Sequence, residues 1–273
     1  MRLEGGPERP GTMAEKPLQG KRILVTRARE QAAPLVERIQ AAGGEAYLFP
    51  VIQFAPPASW VPVDEALAHI DRYQWLVITS PNGARWFMDR LQATGRDASL
   101  LAGLKVAAVG AGTAQTLERF GVKVDVVPKV FRGAALPEAM GPYLKPGHRV
   151  LMARGDLADP AHAQGLRDLG AVVDDLVVYR TLPAGAERAD ELKAELARGR
   201  VDYATFTSGS TVRNLLAALG GRQPLEGVRV AVIGQETRQA ALEEGLTVHV
   251  VASVASMAGL VDAIIADAAA NPA

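Results

Sequence analysis

Short runs of Val, Ile and Leu recur along the chain, each closed by a turn and followed by an amphipathic stretch of helical length. They occupy Arg22–Thr26, Ala46–Ile52, Trp75–Thr79, Val106–Val109, Val122–Val127, Val150–Ala153, Ala171–Tyr179, Tyr203–Thr207, Val228–Ile233 and Leu246–Val251. Several are apolar at consecutive positions, as strands buried on both faces must be. The intervening stretches include Pro34–Ala42, which stops at Gly43-Gly44, together with Asn82–Leu91 and Thr211–Leu219. Glycine just past the last apolar position is a helix stop, because it adopts the left-handed conformation without a Cβ clash. Strand and helix alternate throughout, which predicts an α/β class with parallel sheets.

The pattern repeats. Segment 101–127 aligns without gaps on 225–251, with 11 identities in 27 positions. LVITSPNGARWFMDRL (76–91) matches ATFTSGSTVRNLLAAL (204–219), and RILVTR (22–27) matches RVLMAR (149–154), in the same order and at nearly the same offset. A duplicated unit, 20–147 and 148–270, with five strands per copy, is therefore expected. It would form two similar doubly wound domains, each with a five-stranded parallel sheet. Pro50 interrupts the second strand of one copy and Ala55-Pro56-Pro57 follows it; Leu182-Pro183 follows the counterpart strand. Proline at these places marks points where the chain leaves a sheet.

Composition narrows the chemistry. The 273 residues fit two domains at ~150 residues each. Lys plus Arg total 30 and balance 30 Asp plus Glu, which argues against a nucleic-acid partner but leaves room for a local anion site. There is no cysteine, so disulfides, thiolate metal sites and a Cys nucleophile are excluded. No apolar run approaches the ~18 residues of a membrane span. The opening MRLEGGPERPGTMAEKP has no apolar stretch. Residues 1–17 are expected to be a disordered tail, with Met13 as an alternative start, on a cytoplasmic protein.

In open parallel sheets ligands gather at the carboxyl ends of the strands. The residues there are Thr26-Arg27, Thr79-Ser80-Pro81-Asn82, Gly110-Ala111-Gly112-Thr113, Arg154-Gly155-Asp156, Thr207-Ser208-Gly209-Ser210-Thr211 and Gly234-Gln235-Glu236-Thr237. Small and hydroxylated residues that open helices suit either plain N-capping or the binding of carboxylates by unpaired N–H groups. Gly110-Ala111-Gly112 lacks the third glycine of a dinucleotide loop, since Gln115 stands there. His69, His148, His162 and His249 are scattered, and Asp156, Asp159 and His162 read as solvated helix-start residues, so no metal site is expected. No nucleophile–base pair or pair of carboxylates stands out. The pattern alone leaves open an enzyme working by positioning and electrostatics or a non-catalytic module that closes on an anion.

Taken together, ILVTRA (23–28), FPVI (49–52), TSPNGAR (79–85), TSGSTVR (207–213), AVGAGTA (108–114), VYRT (178–181) and AVIGQETRQAALEEGL (231–246) resemble the uroporphyrinogen-III synthase family over about 20–265. The resemblance implies a discontinuous domain of 18–48 plus 183–270, a second domain of 55–175, and linker strands 49–54 and 176–182. It implies cyclisation of the linear tetrapyrrole hydroxymethylbilane to uroporphyrinogen III, with inversion of ring D and loss of water, without cofactor or metal. In the family's proposed mechanism the ring-A hydroxyl leaves to give an azafulvene. Ring D then attacks through its substituted carbon, and a spiro intermediate fragments and recloses. The expected partner is this polycarboxylate substrate alone, on a monomer. Tyr179 matches the tyrosine proposed to assist departure of the hydroxyl. Thr113, Thr237, Ser80 and Ser208 match substrate-binding positions, with Gly110 and Gly234 at the turns. Arg27 and Arg154 are the cations expected to meet carboxylates, with Arg85 and Arg213 expected to be solvated or structural. The TSGS turn and Glu236 depart from the family pattern and put contact there in doubt.

Overall fold

A computed structural model describes residues 16–128 and 135–271. Of the expected tail, residues 1–15 lie outside this range, as does Met13. Leu18 is fully buried and its N–H donates to the Ala42 carbonyl. Ten strands are present: β1 (Arg22–Val25), β2 (Glu45–Leu48), β3 (Ile52–Ala55), β4 (Trp75–Ile78), β5 (Lys105–Ala108), β6 (Arg149–Gly155), β7 (Val172–Pro183), β8 (Tyr203–Phe206), β9 (Arg229–Val232) and β10 (Val250–Val251). The helices are α1 (Arg29–Ala41), α2 (Val61–Ala68), α3 (Pro81–Ala93), α4 (Ala111–Arg119), α5 (Ala135–Met140), α6 (Ala161–Asp168), α7 (Ala189–Ala197), α8 (Gly209–Leu219), α9 (Gln235–Glu243) and α10 (Met257–Ala270).

The strands form two five-stranded sheets, β10-β9-β8-β1-β2 and β3-β7-β6-β4-β5. Contacts divide the chain into two compact units, one up to Gln53 and from Pro183 onward, the other Phe54–Leu182. The divisions fall inside β3 and at the end of β7. Every neighbour pair in the first sheet is parallel, as are β7–β6, β6–β4 and β4–β5 in the second. The first sheet takes β1 and β2 from one copy of the repeat and β8, β9 and β10 from the other. The second reverses this, with β4 and β5 from the first copy and β6 and β7 from the second.

In the Phe54–Leu182 unit both sheet faces are covered, with the period of two that a strand imposes. Leu76 and Ile78 of β4 pack with Val63, Phe87 and Leu117 on one face, and Trp75 and Val77 pack with Leu136, Met140 and Leu166 on the other. In the other unit Ile23 and Val25 of β1 pack against Leu35 and Ile39 of α1 and Leu260 and Ile264 of α10.

Three elements depart from the pattern reading. The run 46–52 divides into β2 and β3 around Phe49-Pro50-Val51, because Pro50 has no N–H for the ladder. The run 122–127 contributes a single parallel bridge, Ala107 to Val126; Val106 N–H is taken instead by the Asp125 carboxylate at 2.8 Å. Helix α1 starts at Arg29, so Pro34 lies inside it instead of opening it.

Candidate active site

Tyr179 sits on β7, next to β6 and at the same end of the sheet as the start of α3. Its phenol oxygen is 3.2 Å from Ser80 Oγ. Ser80 is the N-cap of α3, in extended conformation, and its Oγ accepts the Gly83 N–H at 2.9 Å. Pro81 fills the first helical position, where a missing N–H costs nothing. The Asn82 side chain also reaches the phenol. Phe54 meets the Tyr179 ring edge-on, with centroids 5.5 Å apart. Burial pushes the phenol pKa above the usual tyrosine value. Ser80 and Asn82 pull the other way, while the Asp156 carboxylate adds to the rise. Either hydroxyl can supply the proton of the Ser80–Tyr179 bond; with Ser80 as donor, the bond favours the ionised phenol. The tyrosine's own proton is then free to point elsewhere.

The other tyrosines differ. Tyr47, Tyr73 and Tyr203 give their hydroxyl protons to Glu191, Asp174 and Asp267, and Tyr143 is exposed. Burial and then the Asp174 and Asp267 carboxylates push the Tyr73 and Tyr203 phenols up to about 12. Of the five tyrosines, Tyr179 is the one packed against a hydroxyl group.

The other expected residues of this unit have the following partners. Arg154 grips Asp175 with two hydrogen bonds, at 2.6 and 3.1 Å, and donates to the Gly155 and Asp156 carbonyls. Its guanidinium ties β6 to β7. Thr113 is 1% exposed and its hydroxyl donates to the Val109 carbonyl one turn back, at 2.8 Å. That back-bond is the helical alternative to pointing outward, so Thr113 shapes the turn in this conformation. Gly110 caps α4 at φ 91° and ψ 154°, a region essentially restricted to glycine. Arg85 bonds to Asn82, at the helix start.

The carboxyl ends of β8, β9 and β1 carry the corresponding residues of the first unit. Ser208 caps α8 in a reciprocal box with Thr211, and its hydroxyl lies 2.9 Å from that of Ser210. Gly234 caps α9 in extended backbone, with Thr237 buried in the first turn and Glu236 exposed. Arg27 reaches the sulfur of Met257 at 3.7 Å, at the start of α10. Arg213 is exposed on α8 and lines the approach to Gly209.

One contributor, Phe54, is not singled out by the sequence, and Asp156 and Asn82 appear there only among the strand-end and helix-start residues. Asp156 holds β7 on both sides of Arg180: its N–H donates to the Tyr179 carbonyl at 3.1 Å, and its carboxylate accepts the Thr181 N–H at 2.9 Å. It does so where the pairing register shifts between Arg154 and Gly155. Phe54 and Asn82 flank the phenol. Among the described residues no cluster of three His, Asp or Glu is placed to hold a metal, and no helix is long and apolar enough to cross a membrane.

Comparison with known proteins gives one consistent answer. The family described as uroporphyrinogen-III synthase HemD matches residues 33–262. The uroporphyrinogen-III synthase of Chlorobaculum parvum is 32% identical over 232 residues, 85% of this chain and 92% of that protein. The porphyrin biosynthesis protein HemD of Ruminiclostridium josui is 32% identical over 255 residues, 92% of this chain. The chain spans about half of that longer relative (49%). Among solved structures, a mutant uroporphyrinogen III synthase from the extremely thermophilic bacterium Thermus thermophilus has the same fold, with a TM-score of 0.63 at 22% identity over 92% of this chain and all of that one. On this match across most of its length, the chain belongs to the uroporphyrinogen-III synthase family.

Proposed function

We propose that the chain cyclises hydroxymethylbilane to uroporphyrinogen III and that Tyr179 is the group that helps the ring-A hydroxyl leave. The pyrrole nitrogen of ring A supplies the electron pair that expels the hydroxyl. The departing oxygen needs a proton, and the Tyr179 phenol is held protonated through neutral pH by burial and by Asp156. The Gly83 N–H donates to Ser80, and in this reading Ser80, 3.2 Å from the phenol oxygen, donates to Tyr179. Each donation polarises the next, so the positive end of α3 makes the phenol a stronger donor without ionising it. The observation that carries this reading is that the Tyr179 phenol lies 3.2 Å from Ser80 at the start of α3, whereas Tyr47, Tyr73 and Tyr203 give their protons to carboxylates.

Ser80, Ser208 and the helix starts at Gly110 and Gly234 offer hydroxyl and N–H groups that suit the carboxylates of a tetrapyrrole, and Arg27 adds a cation. Thr113 and Thr237, both buried in the first turns of α4 and α9, stand behind those helix starts. We read 18–48 with 183–270 and 55–175 as the two domains, joined by 49–54 and 176–182; the division of contacts after Gln53 and Leu182 supports this. The same reading makes the protein a cytoplasmic monomer that needs no nucleic acid, cofactor or metal.

The test is to supply hydroxymethylbilane and resolve the product isomers. Uroporphyrinogen III in excess supports the assignment. The I isomer alone, at the rate of spontaneous closure, overturns it.

A further inference from the structure

Gly155 ends β6 and pairs with Tyr179 across the strand register. A Cβ on Gly155 would lie 2.5 Å from Cζ and 2.7 Å from Oη of Tyr179, well inside the ~3.5–4.0 Å of an ordinary carbon contact. Backbone strain does not call for glycine there, because Gly155 is not among the glycines with positive φ. The ring itself is what excludes a side chain.

The duplication supplies an internal control. The first residues of β1 and β6 pair as Arg22 with Glu45 and Arg149 with Val172, so both partners differ by 127 positions. The same offset carries Gly155 to Ala28 and Tyr179 to Ile52. Where the copy lacks the tyrosine ring it has the methyl group, and Ala28 is fully buried and Ile52 7% exposed.

We propose that Gly155 is a positioning residue for the cyclisation, its missing side chain forming the slot that holds the Tyr179 phenol against Ser80 and the start of α3. This rests on Tyr179 being the proton donor. A side chain at 155 tips the ring out of the slot, breaks the Ser80 contact and aims the phenol away from the leaving hydroxyl.

Three measurements on the full chain test it, with variants Gly155→Ala, Tyr179→Phe, Tyr179→Ile and the double variant Gly155→Ala/Tyr179→Ile. Turnover of Gly155→Ala is expected to fall by up to about 100-fold, the low end for loss of a single positioned acid, with KM within about twofold. In alkaline absorbance titration, with Tyr179→Phe as the blank, its phenol is expected to titrate closer to the ordinary tyrosine range. Gly155→Ala is expected to lower the melting temperature in the wild-type background but not in Tyr179→Ile, where no ring occupies the space. Wild-type turnover with an unmoved phenol overturns the proposal, and so does an equal loss of melting temperature in both backgrounds. If Tyr179→Phe turns over like wild type, the donor reading falls and the slot's role in turnover falls with it. The titration and the melting comparison then decide the steric coupling by themselves.

Discussion

The Tyr179 phenol oxygen and Ser80 Oγ lie 3.2 Å apart, and the same Ser80 oxygen takes the Gly83 N–H at 2.9 Å. One serine thus caps a helix and touches the proposed acid. Its hydroxyl transmits the helix start to the phenol, and its loss has both a structural and a chemical consequence.

Ser80→Ala is expected to cost about 1 kcal/mol of stability through the lost cap. It is also expected to lower turnover about fivefold, the equivalent of one hydrogen bond. Because Ser80 lowers the phenol's pKa, its removal should move the Tyr179 titration to higher pH. Denaturant melts and an alkaline absorbance titration measure the two effects separately. A titration moving downward contradicts the donor role of Ser80.

Asp156→Asn acts in the opposite direction. The carboxylate raises the phenol's pKa, whereas an asparagine carbonyl still accepts the Thr181 N–H. The variant should fold normally, titrate Tyr179 at lower pH and shift the alkaline limb of the pH–rate profile the same way. An upward shift or no shift would show that the carboxylate does not act on the phenol.

Arg154→Lys separates support from substrate contact. Lysine cannot reproduce the two-point grip on Asp175. With both side chains less than a fifth exposed, the loss is expected to be about 1.5–3 kcal/mol, with KM nearly unchanged. A large rise in KM at undiminished stability would instead place Arg154 on the substrate.

Acid sensitivity follows from Asp267 and Asp174. Burial pushes the Asp267 carboxyl up, but Arg229 and Tyr203 together outweigh it and hold the carboxyl below its usual value. Tyr73 and Arg149 do the same for Asp174. A carboxylate lowered on folding stabilises fully above its unfolded pKa of about 3.9, and that contribution is lost as pH falls through the folded value. Asp267→Asn should therefore lower stability at pH 7 and flatten its decline toward pH 3, read by urea melts at both pH values. An unchanged acid slope would remove Asp267 from the account.

What the chain discloses before folding is set by the range of the interactions. The alternation of strands and helices, the duplication and the caps at Ser80 and Ser208 depend on residues within a few positions of each other, and these are legible. Tyr179 is reached only through the VYRT resemblance, since nothing local separates it from a packing tyrosine. Pairings across strands are not legible. Arg154 and Asp175 are 21 residues apart, so the arginine looks available for substrate. Thr113 looks like a cap because a hydroxyl at a helix start can point outward or bond back to the preceding turn, and the choice is made by packing. Gly155 is visible as a residue, but its meaning depends on a ring 24 positions further along the chain.

The most direct test is isomer-resolved turnover of hydroxymethylbilane by wild type and Tyr179→Phe, with melting temperatures taken alongside. The account predicts uroporphyrinogen III from both proteins. It predicts the variant to be slower by about 100-fold, the low end of what a positioned acid contributes, and to melt close to wild type. Undiminished turnover in Tyr179→Phe would contradict it.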